Sequence, residues 1–342
     1  MSRRARSFIA LGAAFLTGLS TLGLLGCGGD SDTPEWALRL PDGVRYGAWS
    51  PEGQLFAIPA HDKIELIGID GSPKRTIEVP DLDNSALSCE CRLGWSKDGS
   101  EIHILTRPAA KAQGGVVVVD ADGKNRHTRY LDLHVSGATW APQGWPLVLK
   151  PQTTDDGRPG SERSQLLRLK SLEGRLDAFL KWKGYISEPA FSPDGSRIAF
   201  TVIPESPNGS LWVVPGNGGQ PRRLLAHLLD PTFSWSPNGH ELALNAYIPE
   251  QGREGVFLVS AADGKAKLLS SEPLAEGQPP AWTPDGRWIT YAGADGSVSK
   301  IRRDGTDRQL LFELPGEEIF GLSWSPDGRH LAYGARPIPP ID

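Results

Sequence analysis

Three histidines are the residues of this sequence best suited to metal-ion chemistry. The chain has 342 residues and seven His, and neutral imidazole is the commonest metal ligand in proteins. His61, His134 and His227 are the candidate ligands, because all three fall in irregular segments between predicted strands. They lie far apart in the chain, so we predict no metal centre and no cofactor, and name these three as the candidates for a metal site.

Charged residues in other irregular segments form a candidate binding face. Binding residues concentrate in loops that a rigid scaffold positions. Two interpretations stay open: these charges are solvated loop residues, or they form a site for a cation or a basic peptide. The residues are Asp155, Asp156, Arg158, Glu188, Glu205, Asp230, Arg253 and Glu276.

Neither nucleophilic catalysis nor nucleic-acid binding is indicated. The sequence has no G-x-S-x-G segment, the turn that exposes the nucleophile of α/β-hydrolases. Its 36 Lys+Arg and 41 Asp+Glu give a net charge of −5, without the basic footprint of a nucleic-acid-binding protein. We therefore expect a non-enzymatic protein whose partner is a protein or a peptide.

Residues 1–26 are predicted to be an export signal. Arg3, Arg4 and Arg6 precede an uncharged apolar run over residues 8–26, the pattern of a secretory signal. Leu24-Leu25-Gly26-Cys27 resembles the bacterial lipobox, and this resemblance implies cleavage before Cys27 and its lipid modification. The alternative is an uncleaved anchor or an ordinary signal peptide.

A lipid-modified Cys27 makes residues 27–35 a membrane tether. Several acyl chains give stable attachment, whereas one is marginal. Gly28 after the cysteine favours the periplasmic face of the outer membrane over the inner membrane. Removal of residues 1–26 leaves 33 Lys+Arg against 41 Asp+Glu, a net charge of −8 that argues against binding to anionic lipid surfaces.

The other two cysteines, Cys89 and Cys91, are two residues apart. In an extended strand that spacing gives poor disulfide geometry. They pair only if the segment 88–92 turns sharply, so a free pair and a strained disulfide both stay open.

The rest of the chain repeats one motif seven times. Each copy has an aromatic residue, a small residue, Pro or a substitute, a polar residue and Gly, followed by an apolar strand. Spacings of 46, 45, 51, 44, 47 and 42 residues separate the copies. The aromatic residues are Trp49, Trp95, Trp140, Phe191, Trp235, Trp282 and Trp324.

The motif has the chemistry of a β-hairpin. Pro presets φ for the first turn position, and Gly supplies the positive φ that closes the turn. The acids of these turns, Asp98, Asp194, Asp285 and Asp327, are therefore expected to be turn formers, and DADGKN at 120–125 a hairpin rather than a calcium loop. A second apolar strand and a second Gly turn follow in most periods, which predicts four strands, A to D, per repeat. Four strands per roughly 45 residues is the arithmetic of a β-propeller blade.

These repeats resemble the WD40-like PD40 propeller repeats of the TolB family. PAFSPDGSRIAFT (189–201) and PPAWTPDGRWITYAG (279–293) carry the resemblance most closely, and it extends over residues 36–342. The family has six repeats and an α/β domain before them, whereas seven repeats are present here and residues 28–35 leave no room for that domain.

We thus expect an all-β, seven-bladed β-propeller over residues 36–342. Residues 36–40 match the D strand of the last repeat, so this N-terminal strand is expected to join the last blade, close the ring and leave that blade three-stranded. The resemblance implies a protein-binding or assembly role in the bacterial envelope. The alternative is a carbohydrate-active or metal-dependent enzyme, because some oligogalacturonate lyases are seven-bladed propellers with a His-bound metal.

Overall fold

The computed structural model describes most of the repeat region. The described residues are 33–41, 44, 47–60, 62–80, 93–106, 115–131, 137–142, 146–152, 163–169, 175–203 and 209–338. Their strands, in chain order, are β1 (Ala37–Arg39), β2 (Ala48–Trp49), β3 (Leu55–Ala60), β4 (Lys63–Gly68), β5 (Pro73–Glu78), β6 (Leu93–Trp95), β7 (Glu101–Thr106), β8 (Gly115–Asp120), β9 (Arg126–Tyr130), β10 (Gly137–Trp140), β11 (Pro146–Gln152), β12 (Arg163–Leu169), β13 (Leu176–Lys183), β14 (Tyr185–Phe191), β15 (Arg197–Ile203), β16 (Gly209–Pro215), β17 (Arg222–Trp235), β18 (Glu241–Ile248), β19 (Arg253–Ser260), β20 (Ala266–Ser270), β21 (Ala281–Trp282), β22 (Trp288–Ala292), β23 (Ser297–Arg302), β24 (Gln309–Glu313), β25 (Glu317–Trp324) and β26 (Leu331–Pro337). A short 3₁₀ helix, Pro249–Gln251, follows β18.

The sequence repeats correspond to hydrogen-bonded sheets, which confirms the all-β prediction. Repeats 1, 2, 3 and 6 each form a four-stranded sheet: β2–β5, β6–β9, β10–β13 and β21–β24. Repeats 4 and 5 share one seven-stranded sheet, β14–β20. The sharing arises because β17 is 14 residues long and serves as strand D of repeat 4 and strand A of repeat 5.

The last sheet has three strands in the order β1–β26–β25. β1 pairs with β26 in parallel, with Leu38 opposite Ala332. In the four-stranded repeats strand D runs parallel to strand B, so β1 has the expected direction of a D strand. It lies directly beside strand B, however, in the position that strand C takes elsewhere.

The motif turn has the same hydrogen bonds in repeats 2, 4, 5, 6 and 7. In repeat 4, Ser192 Oγ donates to Asp194 Oδ1 at 2.5 Å and accepts from Arg197 N at 3.0 Å. Asp194 Oδ1 also accepts from Ser196 N at 3.0 Å. Asp98, Asp285 and Asp327 make the equivalent contacts, so they are turn formers, as predicted.

The hairpin at 120–125 is also confirmed. Asn125 Nδ2 donates to Asp120 Oδ2 at 2.6 Å. Lys124 pairs with Asp122 at 2.7 Å, and its backbone N–H donates to Asp122 Oδ1. Both carboxylates are thus engaged in closing the turn between β8 and β9.

Several motif tryptophans form a hydrogen bond to the preceding repeat. Trp95 Nε1 donates to the carbonyl of Ala48, and Trp235 Nε1 to that of Ala190, each at 3.0 Å. The acceptor is the residue just before the motif aromatic of the preceding repeat. Trp49 makes the same bond at 3.0 Å to Ser323, which precedes the aromatic of repeat 7, so the first repeat is bonded to the last.

Apolar clusters between consecutive sheets form the core. One cluster joins strands of repeats 1 and 2 and includes Ile64 and Ile104. Another joins repeat 1 to repeat 7 through Trp49, Leu38 and Ala332. The burial is therefore distributed among the interfaces between neighbouring sheets.

The A–B turns of neighbouring repeats lie side by side. Gly99 faces Pro51, Gly286 faces Pro237, and Gly53 of repeat 1 faces Pro326 of repeat 7. We call the end of the sheets that carries the A–B and C–D turns the turn face, and the opposite end, where the A strands begin, the loop face. Gly286 has φ of +67°, a conformation that glycine adopts without steric cost.

Candidate functional site

One cavity receives residues from all seven repeats. It encloses about 480 Å³ and is lined by residues in strand A, or just before it, of every repeat. Apolar side chains make up much of its wall, among them Trp140, Phe233 and Phe320. The lining residues are Gly47, Leu93, Gly94, Thr139, Trp140, Glu188, Ala190, Phe233, Gly277, Gln278, Pro279, Glu318, Phe320, Gly321, Leu322 and Ser323.

Glu188 is brought to the cavity by a β-bulge. The register between β14 and β15 shifts between Ser187 and Ala190, which leaves Glu188 and Pro189 unmatched on the partner strand. Glu188 has φ of +48°, a left-handed conformation that is uncommon for residues other than glycine. Bulges re-aim side chains, and this one places a carboxylate in a mostly apolar wall.

A second carboxylate, Glu318, lines the cavity from repeat 7. It lies near the start of β25 and forms an ion pair of 2.5 Å with Arg336 on the neighbouring β26. A second bulge in β25, between Phe320 and Ser323, contains Gly321, which also lines the cavity. Glu318 was not among the predicted binding residues, although Glu317 and Glu318 begin strand A of repeat 7 and the predicted Glu188 lies in strand A of repeat 4.

Polar contacts hold the segment before β21 against the cavity. The buried Asn245 donates from Nδ2 to the carbonyls of Ala275 and Gln278, at 3.3 and 3.1 Å. Gln278 Oε1 accepts from the backbone N–H of Gly321 at 3.2 Å. Repeats 5, 6 and 7 are thus cross-linked at this wall.

The other predicted binding residues are dispersed. Asp230 lies within β17 at a bulge, with φ of +45°, rather than in a loop. Arg253 is the first residue of β19, also not a loop residue. Asp230, Arg253 and Glu276 are exposed, and none is among the described residues that line the cavity. Asp155, Asp156, Arg158 and Glu205 lie outside the described residues.

The three candidate metal ligands are not brought together in the described part of the chain. His227 is exposed in β17, with φ of +55°, whereas His61 and His134 lie outside the described residues. Among the residues with described positions, no three His, Cys, Asp or Glu side chains are grouped as a metal site requires. Cys27, Cys89 and Cys91 also lie outside this part.

No helix in the described ranges combines the length and apolar character needed to cross a membrane.

Comparisons with known proteins identify similar chains. Residues 116–337 match the family model described as "TolB beta propeller domain" (PD40). The uncharacterized peptidase YuxL of Bacillus subtilis is 29% identical over 167 residues, covering 44% of this chain and 23% of that protein. The Tol-Pal system protein TolB of Francisella tularensis subsp. mediasiatica is 23% identical over 233 residues, covering 62% of this chain and 51% of that protein. This chain therefore spans about half or less of the length of these two relatives.

A solved structure has a fold similar to that of this chain. An oligogalacturonate lyase in complex with manganese superimposes with a TM-score of 0.65 at 14% identity, covering 86% of each chain. At this identity the likeness extends to the fold alone.

Proposed function

The chain belongs to the TolB β-propeller family (PD40), and on this premise we propose that it is an exported, lipid-anchored, seven-bladed propeller that binds a protein partner at the cavity and has no enzymatic activity. The domains of this proposal are a signal over residues 1–26, a lipid-modified Cys27 with a tether to residue 35, and one propeller over residues 36–342.

Seven repeats that share one cavity support the ring of seven blades. Every repeat contributes to the cavity wall, as expected if the A strands surround a central channel. The bond from Trp49 to Ser323 and the pairing of β1 with β26 join the first and last repeats. A closed ring removes the open sheet edges of a linear array.

The composition of the cavity wall is the observation that carries the binding role. Its apolar side chains are interrupted by two carboxylates, Glu188 and the Arg336-paired Glu318. Such a wall suits a peptide segment that offers an apolar side chain and a basic one, because opposite charges favour encounter and fix the register of binding. The cavity lies along the A strands, and Glu188 and Glu318 lie in the halves of these strands toward the loop face, so we expect a partner to enter from that side.

The membrane attachment is proposed from Cys27 and the segment before it. The match to a Tol-Pal system protein supports a place in the bacterial envelope. The periplasmic face of the outer membrane is the location that Gly28 favours.

Site-specific photo-crosslinking tests the binding role. A photoreactive amino acid at Leu322, in the cavity wall, is expected to capture a discrete partner in intact cells. The matched control is the same substitution at Leu310, which is 49% exposed on the outer strand β24 and is expected to capture none. Equal capture at both positions contradicts a cavity site.

Charge reversal in the cavity gives the second half of this test. Glu188→Lys is expected to lower the crosslinking yield at Leu322 by about fivefold or more, since like charges across an interface oppose binding. Glu276→Lys makes the same change at an exposed residue next to the lining segment and should leave the yield unaltered. Stoichiometric bound metal that is lost in a His134→Ala variant would instead favour the enzyme.

A further inference from the structure

A groove between repeats 5 and 6 on the turn face carries a concentration of positive charge. It encloses about 480 Å³, and four of its eight lining residues are basic. The acids Glu241 and Asp304 also line it. The basic residues are Lys267, Arg287, Arg302 and Arg303.

Two of these cations are less tightly paired with carboxylates than the other two. Arg303 pairs with Glu241 at 2.5 Å, and Arg302 with Asp307 at 3.2 Å. Arg287 also pairs, with Asp285, but at the longer N···O distance of 3.9 Å, and its side chain is 76% exposed. Lys267 Nζ donates to the backbone carbonyl of Asp304 and makes no ion pair with any carboxylate in the described ranges. An anion held between Lys267 and Arg287 would thus meet incompletely neutralised donors from both repeats.

The equivalent groove between repeats 1 and 2 has the opposite charge. It encloses about 550 Å³ on the same face and contains one basic residue, Arg75. Its acidic lining residues are Glu52, Asp98, Glu101, Asp120 and Asp122. The turn face therefore has a basic sector and an acidic sector, which the net charge of the chain conceals.

The described chain also enters the fold at the turn face. The carbonyl of Trp36 accepts from Leu331 N at 3.1 Å, and Leu331 directly follows the A–B turn of repeat 7. The Trp36 ring stacks on Trp324, just before that turn, with ring centroids 5.9 Å apart. Only five residues, 28–32, lie between Cys27 and Thr33. An extended chain spans at most about 3.6 Å per residue, so this tether reaches about 20 Å.

We propose that the basic groove binds the phosphates of anionic lipid headgroups, so that the anchored protein holds its turn face against the membrane and presents the cavity to partners on the far side. This inference rests on the proposed lipid attachment at Cys27. It also revises the expectation, drawn from a net charge of −8, that anionic lipid surfaces are excluded, because membrane attraction acts within a Debye length and depends on local charge.

Lysine acetylation of the full-length, lipid-modified protein in vesicles tests the proposal. Lys267 is expected to react about threefold or more slowly in vesicles of phosphatidylcholine with phosphatidylglycerol than in phosphatidylcholine alone, because anionic headgroups attract nearby cations. Lys97 is the internal control, since it is an exposed lysine in the A–B turn of repeat 2, beside the acidic groove. Its rate should be nearly the same in both vesicles.

Charge reversal and added salt test whether the basic groove causes the slower acetylation of Lys267 in anionic vesicles. Arg287→Glu is expected to abolish the difference at Lys267, whereas Lys97→Glu, the same change of charge on the same face, should retain it. Raising the salt to about 1 M, where the Debye length is about 3 Å, should also remove the difference. Slower acetylation of Lys267 in anionic vesicles (its protection) that persists in Arg287→Glu and at high salt contradicts the proposal.

The remaining outcomes distinguish failure of the groove proposal from failure of the proposed anchor and of the proposed binding cavity. Equal protection of Lys267 by soluble glycerol phosphate without vesicles would show a pocket for free anions and overturn the membrane role. Protein that floats with both vesicles but shows no protection of Lys267 overturns the groove alone, leaving the anchor and cavity proposals intact. Protein that floats with neither overturns the anchor and this orientation together, while crosslinking at Leu322 still tests the cavity.

Discussion

At the residue scale, the motif turns show why recurrent acids need not bind ligands. The hydroxyl of Ser192, followed by the hydroxyl and backbone N–H of Ser196, lowers the pKa of Asp194 to about 2. The corresponding contacts from Ser96 and Ser100 lower the pKa of Asp98 to about 2. Each carboxylate thus satisfies donors that the hairpin itself exposes.

We expect Asp194→Ala to reduce the free energy of unfolding by about 1 kcal/mol at neutral pH, the usual net worth of a hydrogen bond. The folded-state pKa lies below the unfolded value of about 3.9, so ionised Asp194 stabilises the fold above that pH. This contribution is lost as the pH falls toward 2. Urea denaturation at neutral pH and between about pH 4 and pH 2 measures both effects.

The matched control for this prediction is already present in repeat 5. Asn238 occupies the position of Asp194 and makes the same contacts, with Ser236 Oγ at 2.8 Å and His240 N at 3.0 Å. Asp194→Asn should therefore keep the stability at neutral pH but lose the share of the acid dependence that Asp194 contributes. An Asn variant as unstable as the Ala variant would disprove this account.

At the scale of single elements, β1 is a three-residue strand that connects two parts of the fold distant in sequence. Leu38 is 5% exposed and packs with Trp49 of repeat 1 and Ala332 of repeat 7. Arg39 of the same strand forms a 2.7 Å ion pair with Glu317 of β25. The strand is short, so its contribution comes mainly from these side-chain contacts.

Leu38→Ala is expected to destabilise the fold by about 2–4 kcal/mol, since truncating a buried leucine removes apolar burial and leaves a cavity. Leu310→Ala is the same substitution at a half-exposed position of β24 and should cost less than about 0.5 kcal/mol. Urea denaturation of the two variants and the wild type gives the comparison. Equal midpoints for the two variants would show that β1 does not support the fold.

At the scale of the whole molecule, the distribution of charge matters more than its sum. The basic groove lies between repeats 5 and 6 and the acidic groove between repeats 1 and 2. Both lie on the turn face, whereas the cavity carboxylates Glu188 and Glu318 lie toward the loop-face ends of their strands. In the proposed arrangement the tether holds the turn face toward the membrane, and the cavity carboxylates lie toward the side that faces away from it.

The anchor itself is tested by Cys27→Ala. We expect the wild-type protein to fractionate with membranes and to carry the added mass of its acyl chains, whereas the Cys27→Ala protein should lack that mass and leave the membrane fraction, because several acyl chains are what make attachment stable. Intact-mass measurement and membrane fractionation give the result. Cys89→Ala is the control and should behave as wild type; a Cys27→Ala protein that stays with membranes refutes the anchor.

Sequence reasoning succeeded where the determinants are local. The hairpin turns follow from Pro, Asp and Gly at adjacent positions, and the strands from short apolar runs such as residues 116–120 in β8. The three-stranded last sheet followed from counting residues beyond the last motif. Of the predicted binding residues with described positions, only Glu188 lines the candidate site. A β-bulge decides whether a carboxylate in strand A faces the cavity or the solvent, and the sequence does not show where strands bulge.

The sequence by itself thus determined the repeat, the turn chemistry and the family, since each depends on residues close together in the chain. Only the tertiary structure decided that Glu318 joins Glu188 in one cavity, that Asp230 and Glu276 do not, and that the basic residues of repeats 5 and 6 face one groove. The physical reason is that these arrangements depend on how sheets pack and where strands bulge. Such contacts join residues from different repeats, and the spacing of residues along the chain does not predict them.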